Sequence, residues 1–267
     1  MTLVSVAELA DRIADGTAPL VLDARWNLVG PDGHDDYRAG HIPGAVWVDL
    51  DRELAGPAGD GGRHPLPSSE VFVAAMQRVG VEPDAEVIVC DGGSTLGAAR
   101  LWWLLLDHGH TRVRVLDGGF AAWQQAGKPV ETGEVAPTPG SFVGAPGHLP
   151  RVGVDDLLDE ARAIVDVRAP ERFTGEREPI DPVAGHIPGA VNLPASESFD
   201  AGRFRPAAEL ADHFAVVPSG AAAYCGSGVT AAQTILALHL AGREDVALYP
   251  GSWSEWITDP ARGVARG

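Results

Sequence analysis

The stretch Ala221-Ala222-Ala223-Tyr224-Cys225-Gly226-Ser227-Gly228-Val229-Thr230, running on to Leu240 as AAQTILALHL, decides the reading of this chain. Ala221 to Tyr224 reads as a short buried strand, Cys225 as the first residue beyond its end, and the apolar pattern from Val229 onward as a long helix. Gly226 and Gly228 let the backbone curl around one point, so that main-chain N–H groups can aim at the cysteine sulfur. Those amides, with a helix N-terminus behind them, favour negative charge and predict a sulfur held as thiolate. Most free cysteines are small core hydrophobes. Cys225 instead stands off a strand end inside a glycine-rich turn, and it reads as reactive.

Composition limits what such a sulfur can serve. The chain has 267 residues, enough for one large domain or two ordinary ones, with 45% hydrophobic and 21% charged residues. Its 20 basic and 37 acidic residues give a net charge of −17, which argues against nonspecific binding to nucleic acid or to an anionic membrane. An anionic substrate must therefore find a local positive site. Two cysteines make no disulfide framework, and no Cys/His cluster at metal-ligand spacing occurs, so a reducing, cytoplasmic setting is expected. The first residues, MTLVSVAELADRIADG, lack the pattern of a signal or transit peptide, and no apolar run is long enough to span a bilayer.

The chain also repeats itself. Val21-Leu22-Asp23-Ala24-Arg25 returns as Ile164-Val165-Asp166-Val167-Arg168, and Gly40-His41-Ile42-Pro43-Gly44-Ala45-Val46 returns as Gly185-His186-Ile187-Pro188-Gly189-Ala190-Val191. Leu116-Asp117-Gly118-Gly119-Phe120-Ala121-Ala122-Trp123 is matched by Tyr249-Pro250-Gly251-Ser252-Trp253-Ser254-Glu255-Trp256. Between the copies, Lys128 to Leu149 is rich in Pro, Gly, Thr and Ala and reads as a linker. In the first half, short apolar runs at 20–22, 45–48, 87–90 and 113–116 alternate with helical patterns at 69–79 and 97–106. That alternation predicts an α/β fold with a mostly parallel sheet, whose ligands bind beyond the carboxyl ends of the strands. Aligning the copies sets Asp91 opposite Cys225 and Cys90 opposite Tyr224, so the first copy has no thiol at the loop position and Cys90 reads as a core residue.

These motifs, in one order and twice over, resemble the two-domain rhodanese-type sulfurtransferases, closest to those using 3-mercaptopyruvate or thiosulfate, along nearly the whole chain. The resemblance implies tandem rhodanese-like α/β domains: residues 1–130 as an inactive copy, 131–149 as a linker, and 150–267 as the catalytic domain. It implies an enzyme whose Cys225 takes sulfane sulfur from a small-molecule donor, becomes a persulfide, and passes the sulfur to a thiophilic acceptor. Cyanide, a small thiol and a thioredoxin-like protein are such acceptors. No metal or other cofactor is implied, because a ring of backbone N–H donors can stabilise the persulfide anion. Related folds with a longer loop ending in arginine are phosphatases; here the sixth residue after Cys225 is Ala231.

Family members that prefer thiosulfate carry a basic pair where this loop has Gly226 and Ser227, so 3-mercaptopyruvate is the expected donor and thiosulfate the alternative. Arg172, in the element Asp166-Val167-Arg168-Ala169-Pro170-Glu171-Arg172-Phe173, is expected to clamp the donor's carboxylate, with Gly226, Gly228, Val229 and Thr230 forming the loop around the sulfur. A surface ion pair is the competing reading of Arg172. Arg168, beside a strand end, reads as a structural partner, and a second arginine found downstream in relatives is matched only weakly by Arg177. Ser227, His64 and Asp51 resemble a Ser-His-Asp relay that handles a proton when the donor's C–S bond breaks. A solvated histidine before a proline is the plain alternative. His41 and His186, present in both copies, read as structural, as do Trp123 and Trp256; Trp253 could line the active cleft. A third reading makes the whole chain a noncatalytic sulfur carrier or binding module.

Overall fold

Runs such as Val87-Ile88-Val89-Cys90 are apolar on both faces, and a sheet made of them is stable only where helices cover both sides. The computed structural model describes residues 2–28, 33–158 and 162–267. The chain divides into two compact units, Met1–Ala55 with Pro67–His148, and Gly56–Leu66 with Leu149–Gly267.

The first unit holds β1 (Leu3–Val4), β2 (Leu20–Asp23), β3 (Val46–Trp47), β4 (Val87–Cys90) and β5 (Val113–Leu116) in the order β1-β5-β4-β2-β3. Every pairing is parallel. β4 is wholly buried, and so is nearly all of the helix Leu96–Asp107 that packs on it. The edge strand β1 and the helix Val6–Ala14, capped by the Ser5 side chain on the Glu8 N–H, go beyond the runs read from sequence. A two-residue strand is too short to leave a periodic signal.

The second unit holds β6 (Ile164–Asp166), β7 (Val191–Asn192), β10 (Ala222–Tyr224) and β11 (Ala247–Leu248) in a parallel sheet ordered β11-β10-β6-β7. β8 (Phe199–Asp200) and β9 (Arg203–Phe204) pair separately as an antiparallel ribbon. The counterpart of β1 shrinks to a single bridge between Arg151 and Leu248. The helix Val229–Leu240 is buried on nearly all sides, which accounts for its continuous apolar sequence.

Two boundaries differ from the expected ones. The proline-rich stretch read as a linker at 131–149 packs on the first unit through residue 148. Glu131 exchanges both backbone hydrogen bonds with His41 (2.9 and 3.0 Å), and Phe142 is buried edge-on against Phe72. Conversely, Gly56–Leu66 lies in the first half of the sequence and groups with the second unit. Composition gives no sign of either, because a segment without periodicity still packs where one buried aromatic and a few backbone bonds anchor it.

Candidate active site

Cys225 follows β10, and the helix Val229–Leu240 begins four residues later. Gly228 turns the chain at φ +84°, and a Cβ there would run into the Pro250 backbone. Its N–H donates to Cys225 Sγ at 3.1 Å. Val229 and Thr230 open the helix. The loop is enclosed rather than open: Cys225 is 2% exposed, and Gly226, Ser227, Gly228 and Val229 are buried with it. Water kept out in this way strengthens whatever hydrogen bonds the sulfur receives.

The first copy shows the same cradle filled by a side chain. The Asp91 carboxylate accepts the N–H groups of Gly93 (2.8 Å), Thr95 (3.0 Å) and Ala98 (3.4 Å). Burial raises the Asp91 carboxyl above its ordinary range, and those three amides offset only part of the rise. The same turn thus aims three main-chain N–H groups at a carboxylate in the first copy and the Gly228 N–H at a sulfur in the second. Cys90 is fully buried, and burial pushes its thiol well up, so it has none of the character of a nucleophile.

Behind the sulfur stands Ser252, a residue missed from sequence. Its Oγ accepts the Cys225 N–H at 3.1 Å, donates to the Tyr249 carbonyl at 2.9 Å and lies 4.0 Å from Cys225 Sγ. Ser252 holds φ +54°, while its counterpart Gly119 holds +56°. A serine at a positive φ where the sister copy uses glycine carries backbone strain, and that Gly-to-Ser difference was legible in the aligned repeats. Ser252→Ala leaves a buried N–H without its acceptor. It is expected to cost about 1–3 kcal/mol in urea denaturation and to slow persulfide formation about 10-fold. Unchanged stability and rate would remove Ser252 from the site.

The loop Gly56–Leu66 closes on itself through paired backbone bonds between Gly59 and Gly62 and a Gly56-to-Pro65 bond of 2.9 Å. Gly62, at φ +98°, packs against Gly251 and Ser254, where a Cβ would meet Ser254 Oγ at 2.8 Å. Within the second unit, this delivers His64 to the loop after Cys225, with Nδ1 at 2.8 Å from Ser227 Oγ. Asp51 belongs to the first unit, in the short helix Leu50–Glu53, where its carboxylate accepts the Trp26 indole N–H at 3.0 Å.

Arg172 sits in the helix Pro170–Thr174. Its Nε donates to both Glu178 oxygens (3.1 and 3.0 Å) and its Nη2 to Asp181 at 2.9 Å. A Cβ on Gly226 would lie 3.4 Å from both terminal nitrogens of Arg172, so the guanidinium rests against the loop beside Cys225. The ion pairing weighed as a competing reading coexists with that position. Burial opposes the Glu178 charge, yet the Arg172 hydrogen bonds and the Ile180 and Asp181 amides outweigh it and hold the carboxyl below its usual range. Arg177 is exposed on the loop surface, with its backbone N–H on the Glu171 carbonyl. Arg168 is a structural partner: it forks onto the buried Asp166, donates to the Gly185 carbonyl and lies 4.8 Å over the Trp253 ring. Arg25 repeats this on Asp23 and Phe120.

His41 and His186 each bond a backbone carbonyl through Nδ1, those of Tyr37 (3.0 Å) and Phe173 (2.8 Å), and stack on the same two rings. Trp123, Trp256 and Trp253 are buried with their indole N–H groups on backbone carbonyls, so Trp253 supports Arg168 rather than lining a cleft. Among the described residues, no group of His, Cys, Asp or Glu is arranged to hold a metal ion, and no helix is long and apolar enough to cross a membrane.

Comparison with known proteins agrees with this architecture. The rhodanese-like domain model matches twice, over residues 5–126 and 153–259. The chain is 43% identical to a Mycobacterium tuberculosis protein provisionally named thiosulfate sulfurtransferase SseB, over 99% of this chain and 97% of the relative. It is also 43% identical to a Pseudomonas aeruginosa protein provisionally named 3-mercaptopyruvate sulfurtransferase, covering 99% and 98%. Among solved structures, the Escherichia coli 3-mercaptopyruvate sulfurtransferase SseA superposes with a TM-score of 0.81 at 35% identity, covering 96% of this chain and 100% of that one. Two rhodanese-like domains, with the cysteine cradle kept in the second alone, make this chain a member of the two-domain rhodanese-type sulfurtransferase family.

Proposed function

We propose that the chain moves sulfur from 3-mercaptopyruvate through a Cys225 persulfide to a thiophilic acceptor such as cyanide, a small thiol or a thioredoxin-like protein. Its two relatives at equal identity carry the names of different donors, so the choice rests on the site. The observation that carries it is the 2.8 Å approach of His64 Nδ1 to Ser227 Oγ, beside a loop with no basic side chain of its own.

In the first half-reaction, the Cys225 thiolate attacks the donor sulfur. An S–S bond forms, the C–S bond breaks, and its electron pair leaves on carbon as the enolate of pyruvate. That carbon must take up a proton, and the Ser227–His64 pair can move one. Arg172 holds the donor's carboxylate, and the loop amides receive the persulfide anion. In the second half-reaction, the acceptor attacks the outer sulfur and Cys225 leaves as thiolate. Oxidation states balance with no cofactor, and the unpaired Cys90 and Cys225 suit the reducing cytoplasm we propose as the compartment.

Thiosulfate, the second reading, loses sulfite instead. No carbon is protonated, so the Ser227–His64 pair has no task. Ser227→Ala and His64→Gln are therefore expected to lower pyruvate release from 3-mercaptopyruvate by about 10²-fold while leaving thiosulfate turnover within about 3-fold of wild type. Equal losses with both donors, or none, would reject the pair as a proton relay. Asp51→Asn, measured alongside, tests whether Asp51 shares in it. Steady-state release of pyruvate by the wild type separates an enzyme from a noncatalytic carrier.

A further inference from the structure

Gly226 adjoins the reacting sulfur, and the space its missing side chain leaves is taken by two guanidiniums. A Cβ on Gly226 would lie 3.0 Å from Arg63 Nη2 and 3.4 Å from the terminal nitrogens of Arg172. Both arginines are tied to one carboxylate: Arg172 Nη2 donates to Asp181 Oδ2 at 2.9 Å, and Arg63 Nη1 donates to Asp181 Oδ1. The Asp181 side chain is 2% exposed, against 27% for Arg63 and 15% for Arg172. The carboxylate thus grips the two cations from the protein side and leaves their outer edges at the loop.

Arg63 is itself held in place. Its backbone N–H donates to Ser254 Oγ at 3.0 Å, and Ser254 N–H in turn bonds the Gly226 carbonyl at 2.9 Å. Its Nε is buried without a hydrogen-bond partner. A buried guanidinium N–H is rarely left unmatched unless something else supplies the acceptor. The loop 175–184 adds no second arginine at this place: Arg177 points to the surface, and the charges the loop brings to the cluster are acidic, Glu178 on Arg172 and Asp181 on both arginines.

We propose that Arg63 is the second guanidinium that grips the donor's carboxylate, working beside Arg172, with Asp181 as the residue that positions both. This rests on the reading of 3-mercaptopyruvate as donor. Two planar forks converging beside one sulfur select a donor that carries a carboxylate close to its thiol.

Single-turnover persulfide formation on the intact chain, followed by mass against 3-mercaptopyruvate concentration, separates binding from chemistry. Arg63→Ala is expected to raise the half-saturating donor concentration about 10- to 100-fold, the effect of a lost charge-assisted hydrogen bond, with the maximal rate changed less than about 3-fold. Arg63→Lys keeps the charge without the fork and recovers only part of the loss. Asp181→Asn, which loosens both arginines, raises the same concentration. Should Arg63→Ala fail to fold, judged by its thermal transition, Arg63→Lys decides alone. An unchanged half-saturating concentration in a folded Arg63 variant, or a loss confined to the maximal rate, overturns the proposal. Absence of any adduct on wild type overturns the donor reading along with it, so the two failures are distinguishable.

Discussion

Cys225→Ser takes up no sulfur from 3-mercaptopyruvate or thiosulfate and releases pyruvate at least about 10³-fold more slowly than wild type, given that removing the nucleophile of a covalent enzyme costs on the order of 10⁶. The physical reason is the atom. A serine hydroxyl offers no thiolate near neutrality and cannot carry a second sulfur, while the cradle around it, with Gly228 and Ser252 in place, survives the change. Intact-protein mass after donor exposure is the measurement: one added sulfur, about 32 Da, on wild type and none on Cys225→Ser. Cys90→Ser serves as the control and retains the adduct, because Cys90 is sealed in the first unit's core with its thiol pushed up by burial. An adduct on Cys225→Ser, or its loss in a folded Cys90→Ser, would place the chemistry elsewhere.

Asp166→Ala lowers the stability of the second unit by about 3–5 kcal/mol, the largest effect on stability expected in this chain. Asp166 is fully buried at the end of β6 and accepts four bonds from Arg168: two from Nε at 3.0 Å, one from Nη2 at 2.6 Å and one from the backbone N–H at 2.9 Å. Removing the carboxylate strands a guanidinium whose side chain is 1% exposed, against the face of the Trp253 ring. Glu178 and the Gly185 carbonyl remain as partners but do not replace the fork. Urea denaturation followed by tryptophan fluorescence checks it, with the two units analysed as separate transitions because a two-unit chain is not assumed to unfold in one step. Asp23→Ala does the same to the first unit by stranding Arg25. A shift below about 1 kcal/mol in either would mean the buried pairs contribute little to stability and that the repeated Asp-x-Arg element has another purpose.

The sequence by itself determined the doubled α/β architecture, the strand-loop-helix around Cys225 and the lack of a thiol at the matching position of the first copy. These are local facts: apolar runs, glycine positions and self-similarity are written residue by residue, and a cysteine replaced by Asp91 at the matching place needs no coordinates to be noticed. Ser252 stood between the two kinds of knowledge, since the repeats already aligned it with Gly119 and only its backbone angle and its bond to the Cys225 N–H gave the difference a meaning.

Only the tertiary structure decided which unit owns the segment Gly56–Leu66, that Ser227 meets His64, and that Arg63 joins Arg172 on Asp181. Arg63 and Asp181 stand 118 residues apart, and His64 and Ser227 163 apart. Contacts at such separations depend on how loops without any periodicity are anchored, here by single side chains such as Ser254 and by a glycine at 62 that takes a positive φ and packs closely. Periodicity reports which face of an element is buried, and it carries no information about where a loop's charged side chains converge.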